Sequence, residues 1–426
     1  MPSIESSMRE ITLQEVLDAR DARFQAQQRL LAEYHRPLLC FTMNIAGSIK
    51  RSPLSDLAFH AAEKALDLHL AGQVLKKRKT DAATGLECIW VCDTAAPALK
   101  ELAMTLETSH PVGRLYDLDV IDITGEKLSR PIPRTCLVCG GPATPCARSR
   151  AHGLPAIQAA TYALLAEFAA VYLAELAVSA LKEEVDITPK PGLVDQRNNG
   201  AHQDMNRSMF YRSADTLYSY FEKAVTLGLT SDNCMPLLQQ AGLQAEQDMF
   251  AATGGVNTHK GAIYAFGLVL ASLGGVLTRG GNLFDRAAAL AAAGIPPDGS
   301  THGGKAKARY GASGARGEAL AGFPAGKRAW GLLRQYPDTP LPALLALLSE
   351  TEDTNLLYRG GPEGLAFVQQ EAAAIFAGPP ENYSSRLEAL DDQCIARNLS
   401  PGGCADLLAL GLLLRRTESI WYHDTV

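Results

Sequence analysis

Two rhythms of apolar and polar residues divide the chain. Up to about residue 150 the apolar runs are short and mixed. Thr12–Tyr34 places Val16, Leu17, Phe24, Leu30 and Leu31 on a charged background, which predicts a helix. Thr12 with Glu15 three residues later predicts its capping box, and Pro37 stops it. Leu38–Met43 then reads as a buried strand, Leu54–Leu70 as a helix, Glu87–Cys92 as a strand and Pro97–Thr108 as a helix. In Gly113–Asp122, Tyr116, Leu118 and Val120 alternate with polar residues, as in a strand with one buried face.

From Leu154 strand-like runs vanish and Ala/Leu-rich helical patterns continue to the end. Ala156–Leu181 is broken by Glu167 and Glu175, and Gly261–Thr278 by Gly267, Gly274 and Gly275. Both read as buried helices packed through small residues rather than membrane spans. The expected architecture is two domains. Residues 1–155 form an α/β domain, a small sheet with helices, and residues 156–426 an all-α domain.

Composition changes little in this picture. A chain of 426 residues is long for one core. A net charge of −6 gives no global case for nucleic acid or an anionic membrane. The basic run Lys76–Lys79 reads as solvated surface. Nine scattered cysteines and an N-terminus without an apolar leader fit a reducing cytoplasm.

Candidate chemistry concentrates at turns. In Ala252-Thr-Gly-Gly-Val-Asn-Thr-His-Lys-Gly261, paired glycines precede an amide, an imidazole and an ammonium at the start of an apolar helix. Such a turn can present backbone N–H groups to an anion, or it can simply cap a helix. It lacks the order and spacing of a P-loop. Asp117 and Asp119 share one face of their strand, and paired carboxylates repel unless a cation lies between them. The pair is therefore a Mg²⁺ candidate, with a solvent-facing edge strand as the plain alternative. Cys136, Cys139, Cys146 and His152 offer four zinc-type ligands at C-x2-C-x6-C-x5-H. The second half of that pattern lacks a usual zinc spacing, so the thiols are read as free and buried. Further polar turns surround Lys190–Asp195, Asn199–Asp204, Glu246, Gly311–Glu318, Asp353–Gly361 and Asn398–Asp406. Together they suit a polyphosphate held with a divalent cation.

The motifs Lys190-Pro-Gly-Leu-Val-Asp195, Ala201-His-Gln-Asp-Met205, Thr253–Gly261, Ser313-Gly-Ala-Arg-Gly-Glu318 and Ser400–Leu408 resemble the triphosphoribosyl-dephospho-CoA synthase family. Thr42-Met-Asn-Ile45, Gly113–Val120 and Arg134–His152 resemble the apo-citrate lyase phosphoribosyl-dephospho-CoA transferase family. The transferase family has P-G-P-x-K after its first strand, where this chain has Ala46-Gly-Ser-Ile-Lys50.

The resemblance implies a nucleotidyltransferase-like sheet in the first half and a bifunctional transferase using ATP and 3′-dephospho-CoA as substrates, with Mg²⁺. Its partner would be the acyl carrier (gamma) subunit of citrate lyase. Asp204 or Glu246 would act at the ribose, with His259 or His202 assisting the departing adenine. Lys190, Lys260 and Arg316 would hold phosphate, helped by Gly254, Gly255 and Asn257. Asp195, Asp353 and Asp406 would meet Mg²⁺ in the second half. In the first half Asp117 and Asp119 would do so, with Lys50, Arg130, Arg148 and Arg150 contacting phosphate. Rival readings are the same synthase chemistry serving malonate decarboxylase, a non-catalytic accessory of the carrier protein, and a zinc-binding regulatory module.

Overall fold

Helix α1 (Leu13–Tyr34) begins where its capping box requires: Thr12 accepts the Glu15 N–H while the Glu15 carboxylate accepts the Thr12 N–H. It opens the computed structural model, which describes residues 9–131, 133–295 and 308–422. The chain divides into two compact units, residues 1–169 and 170–426, and the division falls inside one long helix, α5 (Leu154–Asp186).

The first unit is built on an antiparallel sheet of β1 (Leu38–Met43), β2 (Val74–Ala82), β3 (Gly85–Cys92) and β4 (Tyr116–Ile121), in the order β2-β3-β1-β4. Helices α2 (Pro53–His69) and α3 (Ala96–Ser109) and the short α4 (Ala143–Ser149) complete it, with the start of α5. Strand parity gives the sheet two different faces. On one, Leu38, Cys40, Ile89, Val91 and Ile121 pack under Ala26, Leu30 and Leu31 of α1. On the other, Phe41 stacks on Phe59 of α2 with ring centroids 4.5 Å apart, and Trp90 is fully buried.

Strand β2 is where the sequence reading differs from the structure. Lys76–Lys79 is not loose surface but an edge strand, paired from Val74 to Ala82 against β3. Lys77 and Lys79 reach Glu63 at 2.8 and 2.7 Å, and Trp90 donates its indole N–H to Asp67. An edge strand rich in lysine repels further pairing, so its charge reflects its position in the sheet.

The second unit is helical: α6 (Arg207–Thr216), α7 (Tyr218–Thr230), α8 (Met235–Thr253), α9 (Lys260–Arg279), α10 (Leu283–Ala293), α11 (Gly314–Leu320), α12 (Pro324–Gln335), α13 (Leu341–Glu350), α14 (Thr354–Phe376), α15 (Tyr383–Ala396) and α16 (Gly402–Trp421). The apolar helix α9 is its centre and packs against α7, α10 and α16. Glycine makes this close approach possible. A Cβ on Gly228 would lie 1.8 Å from the Ala271 carbonyl oxygen, and one on Gly274 would lie 2.5 Å from that of Val225. Two other helix starts, those of α14 and α16, converge with that of α9 on one cavity.

Candidate active sites

In the first unit the candidate site is the acidic end of the α1-covered sheet face. Across the ladders Asp117 pairs with Thr42, Thr42 with Glu87, and Asp119 with Cys40. Asp117 and Asp119 thus share a face as the alternation predicts, while α1 sends Arg23 to Glu87 at 2.7 Å. Both aspartates face cations. Lys127 bonds Asp119, and the Arg134 guanidinium lies 3.7 Å from Asp117. Arg134 is itself held by Glu107 at 2.7 Å and by the Tyr116 carbonyl at 2.6 Å. Glu107 also binds Arg130 and accepts the Leu118 N–H from the free edge of β4. Glu107, Lys127 and Arg134 are the organising residues that role assignment from sequence missed.

Of the four expected phosphate contacts, two are bonded elsewhere in the chain and two are exposed. Lys50 donates its ammonium to the Ile45 carbonyl at 2.7 Å and ties off the Ala46–Ile49 turn, so this cation is spent on the turn itself. The turn is further closed by Ile11, whose N–H donates to Ser48. Gly47 has φ +99° and touches the Gln158 side chain, which supplies confinement where the family motif has proline. Arg130 is committed to Glu107. Arg148 and Arg150 are exposed on and just after α4.

The second unit contains a cavity of about 2410 Å³. A pocket for one drug-sized ligand measures roughly 300–1,000 Å³, so this volume admits two large substrates. Asp204, Glu246, His259, Lys190, His202, Asn257, Lys260, Arg316, Asp353 and Asp406 all line it. Glu184 lines it too and was not foreseen. It stands at the C-terminal end of α5, where the helix dipole disfavours an anion. Its compensation is Lys190, 2.5 Å away and 1% exposed. Burial still pushes the Glu184 carboxyl up.

The Thr253–Gly261 stretch connects α8 to α9. Gly254 (φ +66°) is the left-handed cap of α8, and both its N–H and that of Gly255 go to the Phe250 carbonyl. Those amides end a helix, so the expected backbone cradle for phosphate is not formed by these two glycines. Asn257 accepts the Lys260 N–H and so starts α9. The Lys260 ammonium meets Glu246 at 2.6 Å. Gly261 has a steric reason that the motif did not reveal: a Cβ there would lie 2.0 Å from Asp406 Oδ2.

Asp353 caps two helices at once. Oδ1 accepts the Asn355 and Leu356 N–H groups of α14, and Oδ2 accepts the Cys404 N–H of α16. Asp406 accepts the Ala262 N–H of α9. Burial pushes the Asp406 carboxyl well up, and the charges of Glu184 and Asp353 push it further. Asp195 stands apart from the other acids. It accepts the N–H groups of Lys190, Arg197 and Asn198, and it does not line the cavity. It shapes the loop that carries Lys190, away from the cavity wall that holds Asp353 and Asp406.

Both histidines are held neutral. Burial and the Arg359 guanidinium push His202 down to about 4. Arg359 donates to Nδ1 at 3.2 Å, which leaves Nε2–H to donate to Ser400 at 2.8 Å. Burial pushes His259 down to about 3. Thr258 donates to Ser213, and Ser213 lies 2.7 Å from His259 Nδ1. The buried His259 Nε2 has no hydrogen-bond partner among the described residues. Neither ring stores an acidic proton at neutral pH, so assistance to a departing base from either would come as a neutral N–H. Asp204 is largely exposed at the cavity wall, with the His202 ring 3.9 Å away.

The Cys136, Cys139, Cys146 and His152 side chains come together in the first unit, and the three thiols are half-buried or exposed rather than buried.

Residues 170–425 match the family model described as ATP:dephospho-CoA triphosphoribosyl transferase. Residues 11–168 match that of apo-citrate lyase phosphoribosyl-dephospho-CoA transferase. Protein CitXG of Haemophilus influenzae is 36% identical over 94% of this chain and 95% of its own length. The 2-(5''-triphosphoribosyl)-3'-dephosphocoenzyme-A synthase of Haemophilus ducreyi is 38% identical over 64% of this chain and 97% of its own. A probable synthase of the same name from Pseudomonas fluorescens is 43% identical over 58% and 91%.

Proposed function

This chain belongs to the ATP:dephospho-CoA triphosphoribosyl transferase family through its second half and to the apo-citrate lyase phosphoribosyl-dephospho-CoA transferase family through its first, and we propose that each half performs its family's reaction at the site described above. The observation that carries the second-half reading is the cavity: it has room for two nucleotides and joins cations, carboxylates and a neutral buried imidazole on one wall system.

In the second half the ribose 2′-hydroxyl of 3′-dephospho-CoA attacks C1 of the ATP ribose. A C–O bond forms, the C–N bond to adenine breaks, and the triphosphate stays on the transferred sugar. Breaking that bond builds oxocarbenium character, which a nearby carboxylate stabilises. Asp204, exposed to the cavity, takes the hydroxyl proton. Glu246 faces the sugar while its partner Lys260, with Arg316, holds phosphate. The ammonium of Lys190 pairs with Glu184. His259 Nε2–H donates a hydrogen bond to the departing base.

In the first half a serine hydroxyl of the acyl carrier subunit of citrate lyase attacks the α-phosphorus. The bond to pyrophosphate breaks as the bond to serine forms. Arg134 and Lys127, which border the aspartate pair, take up the charge of the departing pyrophosphate; Asp117 and Asp119 would hold a divalent cation, which would supply further charge neutralisation.

Mg²⁺ fits the donor sets of both halves. Asp353 and Asp406 crowd one wall with Glu184, and their mutual repulsion is what a divalent cation relieves. When bound, it would neutralise the polyphosphate and fix its orientation. We further propose a cytoplasmic location, which nucleotide substrates of this kind support.

The test is one incubation with ATP, 3′-dephospho-CoA, Mg²⁺ and apo-citrate lyase. Free adenine, pyrophosphate and a carrier serine bearing phosphoribosyl-dephospho-CoA by mass spectrometry are expected. Adenine release with an unmodified carrier would refute the first-half assignment. An apo-carrier of malonate decarboxylase modified in preference would redirect it.

A further inference from the structure

We propose that Cys136, Cys139, Cys146 and His152 form a structural zinc site in the first unit. Three Sγ atoms and one imidazole nitrogen, one from each residue, all lie within 4.8 Å of one another. Tetrahedral zinc with Zn–S bonds of about 2.3 Å sets sulfur–sulfur separations of about 3.8 Å. Cys139 and Cys146 Sγ are 3.6 Å apart. A disulfide would need about 2.05 Å.

The backbone around the first pair has the form of a metal knuckle. The Cys136 N–H donates to the Gly141 carbonyl at 2.6 Å, and the Gly140 N–H returns to Cys136 at 3.0 Å. Gly140 has φ +71°, which its lack of a side chain permits. The third ligand comes from α4, and the left-handed Arg150 (φ 50°) reverses the chain to bring in His152.

A second observation is independent of the thiols. His152 Nε2 is buried with no hydrogen-bond partner among the described residues. An orphaned imidazole nitrogen is costly unless something coordinates it. Three thiolates and one imidazole in tetrahedral reach select zinc over the hard cations, which take oxygen donors.

The site has a mechanical consequence. Its base is tied to the strand that carries the two aspartates: Ala143 donates to the Arg134 carbonyl, Arg114 binds the Thr135 carbonyl, and Arg134 reaches Tyr116 and Asp117. Zinc would pin the segment 134–152, and with it Arg134, Arg148 and Arg150, beside β4.

The experiment is elemental analysis of the full chain purified without chelator, with and without Cys139→Ser and His152→Ala. About one zinc per chain is expected, falling more than tenfold in each variant while adenine release is unchanged. Iodoacetamide should label Cys136, Cys139 and Cys146 only after a chelator removes the metal. This second readout stands even if a variant fails to fold. The proposal is overturned if the protein holds no zinc and takes none up from zinc chloride under reducing conditions. It is equally overturned if Cys136→Ser/Cys139→Ser protein keeps its zinc, or if the isolated chain carries a Cys139–Cys146 disulfide.

Discussion

Residues near the cavity show how environment selects a chemical role. His202 and His259 would be ordinary titrating imidazoles in water, but burial keeps both neutral. Their folded pKa values lie below the unfolded value of about 6.5. Protonation therefore costs the folded site, and any contribution of the neutral rings is present above that range and lost as pH falls toward about 4. Adenine release should accordingly show no inflection near pH 6.5 and should decline only below about pH 5. A limb near 6.5 that disappears in His202→Asn would contradict this. Gly261 makes a second residue-scale case. A methyl group there collides with Asp406, and a displacement of about 1 Å at a reacting centre can cost roughly 100-fold. Gly261→Ala should lower kcat for adenine release by about that factor, whereas Gly254→Asn, at an open left-handed cap, should lower it less than about threefold. Equal effects would show that the glycines serve the backbone alone.

At the scale of elements, the acids that the sequence offers as metal ligands prove to be architectural as well. Asp353 satisfies amides at the starts of α14 and α16 with one carboxylate. Each such cap is worth about 0.5–2 kcal/mol, and the amides left behind would be buried. Asp353→Ala should therefore destabilise the second unit by about 2–4 kcal/mol in urea unfolding, and a loss under about 0.5 kcal/mol would rule out the double cap. The capping box of α1, strand β1 and the alternation in β4 were legible because local pattern alone decides them. Strand β2 was not, because lysines at an edge look like any solvated run until the sheet order is known. The phosphate-loop reading of Gly254–Gly255 failed for a related reason. Paired glycines announce positive φ, but whether their amides close a helix or face a ligand depends on Phe250, a partner that the motif does not mark. Asp195 likewise reads as an acid in a polar turn, and only the fold shows three amides claiming it.

Across the whole molecule, two chemistries rest on two differently built units. The first presents a carboxylate pair on a strand face bordered by cations. The second closes helix starts around a cavity large enough for ATP and dephospho-CoA. The apolar runs that by length and composition pass as membrane spans are α5 and α9 (Leu154–Asp186 and Lys260–Arg279), and the second is mostly buried as the centre of the helical unit. The residues bearing the family resemblance lie in both units, and their roles separate cleanly only if each site acts through its own residues. The most direct test is a single reaction of Asp119→Asn protein with ATP, 3′-dephospho-CoA, Mg²⁺ and apo-citrate lyase, following adenine by chromatography and carrier mass by mass spectrometry. Adenine should appear at the wild-type rate while the carrier stays unmodified. A carrier modified at the wild-type rate, or the loss of adenine release in a protein that remains folded, would contradict the assignment of the two reactions to two separate sites.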